Sequence, residues 1–427
     1  MAKTTDISLR NQVMYSIYVR NHTVEGTFEA IIPDLPRIKA LGVDIIWLMP
    51  IHPIGEEKRK GQAGSPYAIR DYRAVNPEYG DEASFKKLVD AIHQTGMKCI
   101  IDVVYNHTSP DSVLVKEHPE WFYRRPDGQM GNKVGDWYDI VDLDYQHQDL
   151  WDYQIETLKM WAKIVDGFRC DVASLLPIDF WLRARQEVAE VNPDTLWLAE
   201  SVHPHFLREH RDNKNIGLSD NEVFEAFDIT YDYDVEDFYS AYLNDEISLK
   251  AYLGILMFQD GIYATNYVKL RFLENHDHPR FRSRVSDPQA VRNWVGFLYF
   301  QKGTTLLYGG QEKGIAHLPD LFNVDPINWE KTDMDLAPLM KKLYDIKGDL
   351  AFRQGAYHLY AHEGQDVMIG SYKEDGKTIH GIFNLDGRHH NVEVDIPDGR
   401  YQNQLDQEFY VIEHGYLQTR GEPIIFS

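Results

Sequence analysis

The chain has 427 residues, with 44 Lys and Arg against 67 Asp and Glu, a formal net charge of −23 at pH 7. So acidic a surface repels polyanions, which argues against nucleic acid and anionic membranes as partners; 43% hydrophobic and 26% charged residues are ordinary for a soluble globular protein. No apolar run reaches the ~18 residues a membrane-spanning helix needs.

Short apolar runs at residues 13–19, 44–50, 98–106, 167–173, 195–201, 226–231, 268–274 and 304–308 read as strands. Between most of them lie stretches with the apolar spacing of a helix burying one face: 28–41, 83–96, 151–164, 180–191, 236–257 and 288–301, with a last helix expected over 334–353. Eight such alternations predict an α/β fold, a parallel sheet closed into a (β/α)8 TIM barrel, made of residues 1–107 and 151–354. Residues 108–150, rich in Trp, Tyr, Asp and Gly, are too long an excursion for a bare loop and read as a small inserted lobe. Residues 355–427 carry short runs (367–371, 378–383, 390–394) between Asp-Gly and Pro-Asp-Gly turns, which predicts a C-terminal antiparallel β domain. Cys99 and Cys170 fall within apolar runs and read as buried, reduced thiols. Residues 1–19 lack a signal-peptide pattern, so a cytoplasmic location is expected; a mature secreted form carrying a start Met reads the same way.

In parallel barrels the C-terminal ends of the strands converge on one face, where the chemistry sits. The third run ends in Asp102, Asn106 and His107, the fourth in Arg169 and Asp171, the fifth in Glu200, and the seventh in His276 and Asp277. Any one such carboxylate reads equally well as the cap of the next helix; several together with an Arg and two His read as a site. With no Cys nucleophile and no Gly-rich phosphate loop, the set suits acid–base work on a polar, uncharged substrate. Glycoside cleavage needs one ionised carboxylate to attack the anomeric carbon and one protonated carboxyl to give the leaving oxygen its proton. Arg169, two residues before Asp171 on one strand, points to the same face and is expected to hold Asp171 ionised.

The segments DVVYNH (102–107), GFRCD (167–171), LAE (198–200) and ENHD (274–277) resemble, in order, four signature segments of the α-amylase family, glycoside hydrolase family 13. GVDIIWLMPI (42–51), IVDLD (140–144) and GTTLLYGGQE (303–312) resemble three more, so the resemblance covers roughly residues 13–312. It implies that Asp171 is the nucleophile, Glu200 the general acid and then base, and Asp277 the third carboxylate, gripping sugar hydroxyls. It implies that Arg169 orients Asp171, that His107 and His276 hydrogen-bond the sugar, and that Tyr67 stacks beneath it; Asp102 then supports the strand end. The implied activity is α-retaining hydrolysis of α-glucosidic bonds in malto-oligosaccharides or α-glucans, with transfer to a sugar acceptor as the alternative on the same fold. A non-catalytic carbohydrate-binding relative is a remote reading, because all three carboxylates are present.

The resemblance also has departures. Ser174 and Leu175 stand where many endo-acting members carry Lys-His, and Gly64 stands where many α-glucosidases place an Asp. Thr305 replaces a usual Pro, and Val172 is similar to the pattern of some α-1,6-acting members. No cofactor is expected to be required. A structural calcium ion is implied by Asn106 and Asp142, with a backbone carbonyl at Leu175 as third ligand; Asn106 reads equally as a loop-fixing hydrogen bonder. The Asp-rich calcium loop after strand one has no counterpart in residues 20–26. Bond preference and oligomeric state are open at this level.

Overall fold

The computed structural model describes residues 4–427. Eight parallel strands, Val13–Ile17, Ile45–Leu48, Lys98–Val103, Gly167–Cys170, Leu196–Ala199, Ile229–Tyr231, Lys269–Arg271 and Thr304–Tyr308, form a closed barrel. The first strand closes on the eighth, Val13 opposite Thr305 through Ser16 opposite Tyr308. The expected (β/α)8 architecture is therefore the observed one. Several strands end earlier than their apolar runs suggest, because burial continues past the last ladder hydrogen bond. Asp171 and Glu200 lie just beyond the last strand residue, each still tied to the neighbouring strand by its own N–H, to Val103 O and Cys170 O.

The outer helices follow their apolar spacing. Glu82–Gln94 starts at a reciprocal Asp81/Ser84 capping box and buries Phe85, Leu88, Val89 and Ile92, an i, i+3, i+4, i+7 stripe. Two expected helices are each divided in the structure. Residues 236–257 belong to two helices, Tyr233–Leu243 and Leu249–Ile262. Asp245 takes a left-handed turn between them and Ser248 caps the second. Residues 334–353 divide likewise into Ala337–Lys347 and Leu350–Gln354, where Asp349 caps a new start. The helix Pro204–Asp212 after the fifth strand had little apolar signal, since His210 is its one buried residue. Among the described residues, no helix is long and apolar enough to cross a membrane.

Between the third strand and the helix Gln148–Trp161, the chain rises into a region with little regular structure, held by the short antiparallel pair His107–Thr108 and Val141–Asp142. After the barrel come two four-stranded antiparallel sheets. The strand Val367–Glu374 shows how they are joined to it. Val367 and Ile369 face a second apolar core shared with Ile412 and Leu417, while Met368 and Tyr372 face the barrel, Tyr372 meeting Phe300 at 5.3 Å between ring centroids. Cys99 and Cys170 are free and buried.

Candidate active site

The floor of the site is one guanidinium. Asp102 and Arg169 are direct neighbours in the register of the third and fourth strands, which puts both side chains on the inner face. Both are fully buried. Arg169 Nη1 donates to Asp102 Oδ1 at 2.9 Å and to Asp171 Oδ1 at 2.8 Å. Its Nη2 lies 3.0 Å from Glu200 Oε2, an ion pair without hydrogen-bond alignment. The rings of Trp47, Tyr231 and Tyr67 stand 5.2, 5.3 and 5.6 Å from the guanidinium carbon, so cation–π contacts fill its remaining sides. One delocalised cation thus fixes three carboxylates.

Those carboxylates do not share one environment. Burial, with Asp171 and Asp277 adding to it, pushes the Glu200 carboxyl well above the usual carboxylate range, against the opposing pull of Arg169. Burial, partly offset by Arg169, pushes Asp102 up to about 7. Glu200 Oε2 also accepts the N–H of Val172 at 2.7 Å. Val172, next to Asp171, has φ +36°, a left-handed conformation that a β-branched residue adopts only under constraint. That turn is what aims its N–H at Glu200.

Tyr67 and His276 form the opposite wall, their rings stacked at 5.4 Å and 14°. The Tyr67 hydroxyl donates to Asp102 Oδ2 at 3.1 Å and lies 2.7 Å from His276 Nε2. Burial lowers the His276 pKa to about 4, so the ring is neutral at ordinary pH. His276 Nε2 also lies 3.1 Å from Asp277 Oδ2. Asp277 is the most accessible of these carboxylates, its side chain 42% exposed. Asn106 Nδ2 donates to His107 Nδ1 at 3.2 Å, which leaves His107 Nε2–H free to donate.

These parts surround a cleft of about 460 Å³, within the usual range for a small-molecule site. Of the residues expected from sequence, Tyr67, His107, Asp171, Glu200, His276 and Asp277 line it. Arg169, expected from sequence to orient Asp171, does not: its side chain has no exposed surface and it touches the carboxylates above it. Sequence reasoning missed Trp137, His203, Tyr233 and His278, which also line the cleft. His203 and His278 stand three and one residues beyond Glu200 and Asp277, so closeness to the strand ends was the one signal available for them. Asn106 and Asp142 sit apart, beside a small cavity that Leu175, Lys133 and His210 also line.

Comparison with known proteins identifies the family. The family model of the alpha amylase catalytic domain matches residues 12–140 and 135–358, and that of the bacterial alpha amylase C-terminal domain matches 358–426. A solved alpha-amylase from Lactobacillus plantarum is 46% identical, with 99% of each chain covered and a TM-score of 0.96. A maltogenic alpha-amylase from Thermotoga neapolitana is 32% identical over 98% of each chain, with a TM-score of 0.87. Among curated relatives, an alpha-1,4-glucan:maltose-1-phosphate maltosyltransferase from Cereibacter sphaeroides is 36% identical over 197 residues, 41% of this chain and 33% of that protein. The chain therefore spans about a third of the length of that longer relative. With barrel, strand-end segments and C-terminal sheets all matched over the full length of a 46% identical neighbour, the chain belongs to the α-amylase family.

Proposed function

We propose that the protein hydrolyses α-glucosidic bonds in malto-oligosaccharides or α-glucans with retention of configuration. One observation carries this reading: Arg169 holds Asp171 and Glu200 side by side under an open cleft, where burial drives Glu200 toward its protonated form. Asp171 attacks the anomeric carbon as Glu200 donates its proton to the departing oxygen, leaving a glycosyl ester on Asp171. Ester formation removes the negative charge that helped raise Glu200. The Glu200 pKa then falls, so the carboxylate left after proton donation stays ionised and is free to take a proton from the attacking water; the second inversion restores the α configuration. Tyr67 offers a ring face to the sugar, His107 and the neutral ring of His276 offer polar atoms to its hydroxyls, and exposed Asp277 grips them from the rim.

Transfer to a sugar acceptor is the second reading, favoured by the apolar lining at Val202, Phe206 and Tyr233, where a ring can displace water. An uncharged substrate suits so acidic a chain, and reduced Cys99 and Cys170 suit a cytoplasmic location. The test is a time course on maltotriose through maltoheptaose and on panose, with wild type and Asp171→Asn. Shorter products from wild type alone support hydrolysis, and products longer than the substrate support transfer. Turnover of none of these sugars by wild type sinks the reading.

Calcium belongs to the same proposal. Buried Asp142 Oδ1 has no hydrogen-bond partner, and Asn106 and Leu175 line the same small cavity. A hard cation with oxygen ligands fits there. Asp142 and Asn106 would hold it with the chain at Leu175, and it would supply structural cross-linking of the lobe to the fourth-strand loop.

A further inference from the structure

Three side chains from three separate segments meet at the rim of the cleft, and none has a part in the reaction above. His203 follows the fifth strand, Glu236 lies on the helix Tyr233–Leu243, and His278 follows the seventh strand. Their ligating atoms lie within 4.8 Å of one another. His203 Nε2 is 3.3 Å from Glu236 Oε2, and His278 Nε2 is 3.6 Å from Glu236 Oε1. A tetrahedral zinc ion with bonds of ~2.0–2.1 Å spaces its ligand atoms about 3.3 Å apart, so small side-chain movements suffice to close around one.

The hydrogen bonds around His278 sharpen the case. Asn275 Oδ1 accepts the backbone N–H of Asp277 at 2.9 Å and of His278 at 3.1 Å, which identifies that atom as the oxygen. It lies 2.9 Å from His278 Nδ1, so Nδ1 carries the proton. In a neutral ring, His278 Nε2 then turns a lone pair toward the Glu236 carboxylate. Two acceptors facing each other need a cation between them, and a metal ion or the second proton of an imidazolium are the two that fit. Outer contacts already hold the three groups as metal ligands are held. Ser240 Oγ donates to Glu236 Oε1 at 2.6 Å, and His203 stacks on Tyr233 at 4.5 Å and 16°.

We propose that His203, Glu236 and His278 form a binding site for one divalent transition ion of the zinc class, with its open coordination position toward the cleft. Two imidazoles and one carboxylate select such ions over calcium or magnesium. His203 and His278 line the cleft together with Glu200 and Asp277, so a bound ion narrows the path to the carboxylates. Occupancy therefore inhibits turnover; that consequence rests on the proposed glycosidase reading, whereas ion binding does not.

The test is titration of chelator-stripped, tag-free full-length protein with Co2+, read by its visible absorption, followed by displacement with Zn2+. One equivalent of Co2+ is expected to bind with the intense band of a low-coordinate nitrogen-ligated site, and Zn2+ to bleach it. Glu236→Gln, His278→Ala and the more exposed His203→Ala should each weaken binding by roughly 10-fold to 100-fold or more, with circular dichroism confirming the fold. Asp142→Asn, in the separate oxygen-lined cavity, should leave Co2+ binding as it is. No stoichiometric binding by wild type overturns the proposal, as does wild-type affinity in both Glu236→Gln and His203→Ala, or loss of binding in Asp142→Asn alone. A wild type that binds the ion but turns over no sugar even when stripped of metal keeps the site and refutes the glycosidase reading instead.

Discussion

Asp171 and Glu200 are carboxyl groups on the two terminal nitrogens of one guanidinium, and their surroundings separate their tasks. In the proposed mechanism Glu200 acts first as an acid, so it must be protonated in the free enzyme. Its raised pKa keeps that form populated above the ordinary carboxylate range, and kcat/KM falls as pH rises through the raised value. Asp277 contributes to the rise by like-charge repulsion. In Asp277→Asn that repulsion is gone, so the alkaline limb of the residual activity should move to lower pH; an unmoved limb would separate Glu200 from the titration. Glu200→Gln removes the proton donor altogether. Malto-oligosaccharide turnover should drop about 10²-fold to 10⁴-fold, while glycosides with a leaving group that needs no proton should lose far less in the bond-breaking step, measured as release of that group. An equal loss on both substrates would contradict the assigned role.

At the scale of elements, close packing joins the barrel to the sheets that follow. The helix Pro288–Phe300 lies against them: Asn293 Oδ1 accepts the N–H of Asn384 at 2.8 Å, and Trp294 Nε1 donates to Leu385 O at 3.2 Å. Gly381 is needed there, since a Cβ would come within 2.7 Å of the Phe300 ring. Gly381→Ala should cost about 1–3 kcal/mol as overpacking, read as a lower unfolding midpoint in urea with the active-site pH profile unchanged. The strands of the barrel were legible in the sequence because each is a short continuous apolar run, whereas the helices between them show spaced apolar residues. The breaks at Asp245 and Asp349 were not, because apolar spacing reports burial and continues through Ile247 and Leu350 where the backbone hydrogen bonds stop. The same limit applied to the site. Asp171, Glu200 and Asp277 stood out as ionisable groups at the ends of apolar runs. Glu236 did not, since a glutamate on an amphipathic helix reads as a solvated face until the fold turns it toward two histidines.

At the scale of the whole molecule, the inserted lobe and the barrel meet at Asn106, Asp142 and Leu175. An ion binding there in the folded state alone stabilises it by mass action, about 2.7 kcal/mol at a hundredfold excess over Kd. Chelator-treated protein should therefore melt at a lower temperature than calcium-loaded protein, and Asp142→Asn should abolish the difference. Equal melting temperatures in wild type would remove calcium from the proposal. Lys60 ties lobe and barrel a second time, its Nζ 2.9 Å from Asp139 Oδ1 beside the cleft, and that contact needs no ion.

The closure of the barrel has a consequence during synthesis. The strand Val13–Ile17 is entirely buried in the finished protein, yet one of its two edges pairs only with Thr304–Tyr308, nearly 300 residues later. At ~5–20 residues per second, the ribosome takes about 15–60 s to deliver that partner. Throughout that interval the nascent chain displays an apolar strand with an open edge, the kind of surface that recruits other chains. Slowing translation between residues 17 and 304 should therefore shift the product toward aggregate while leaving the molecules that do close unchanged.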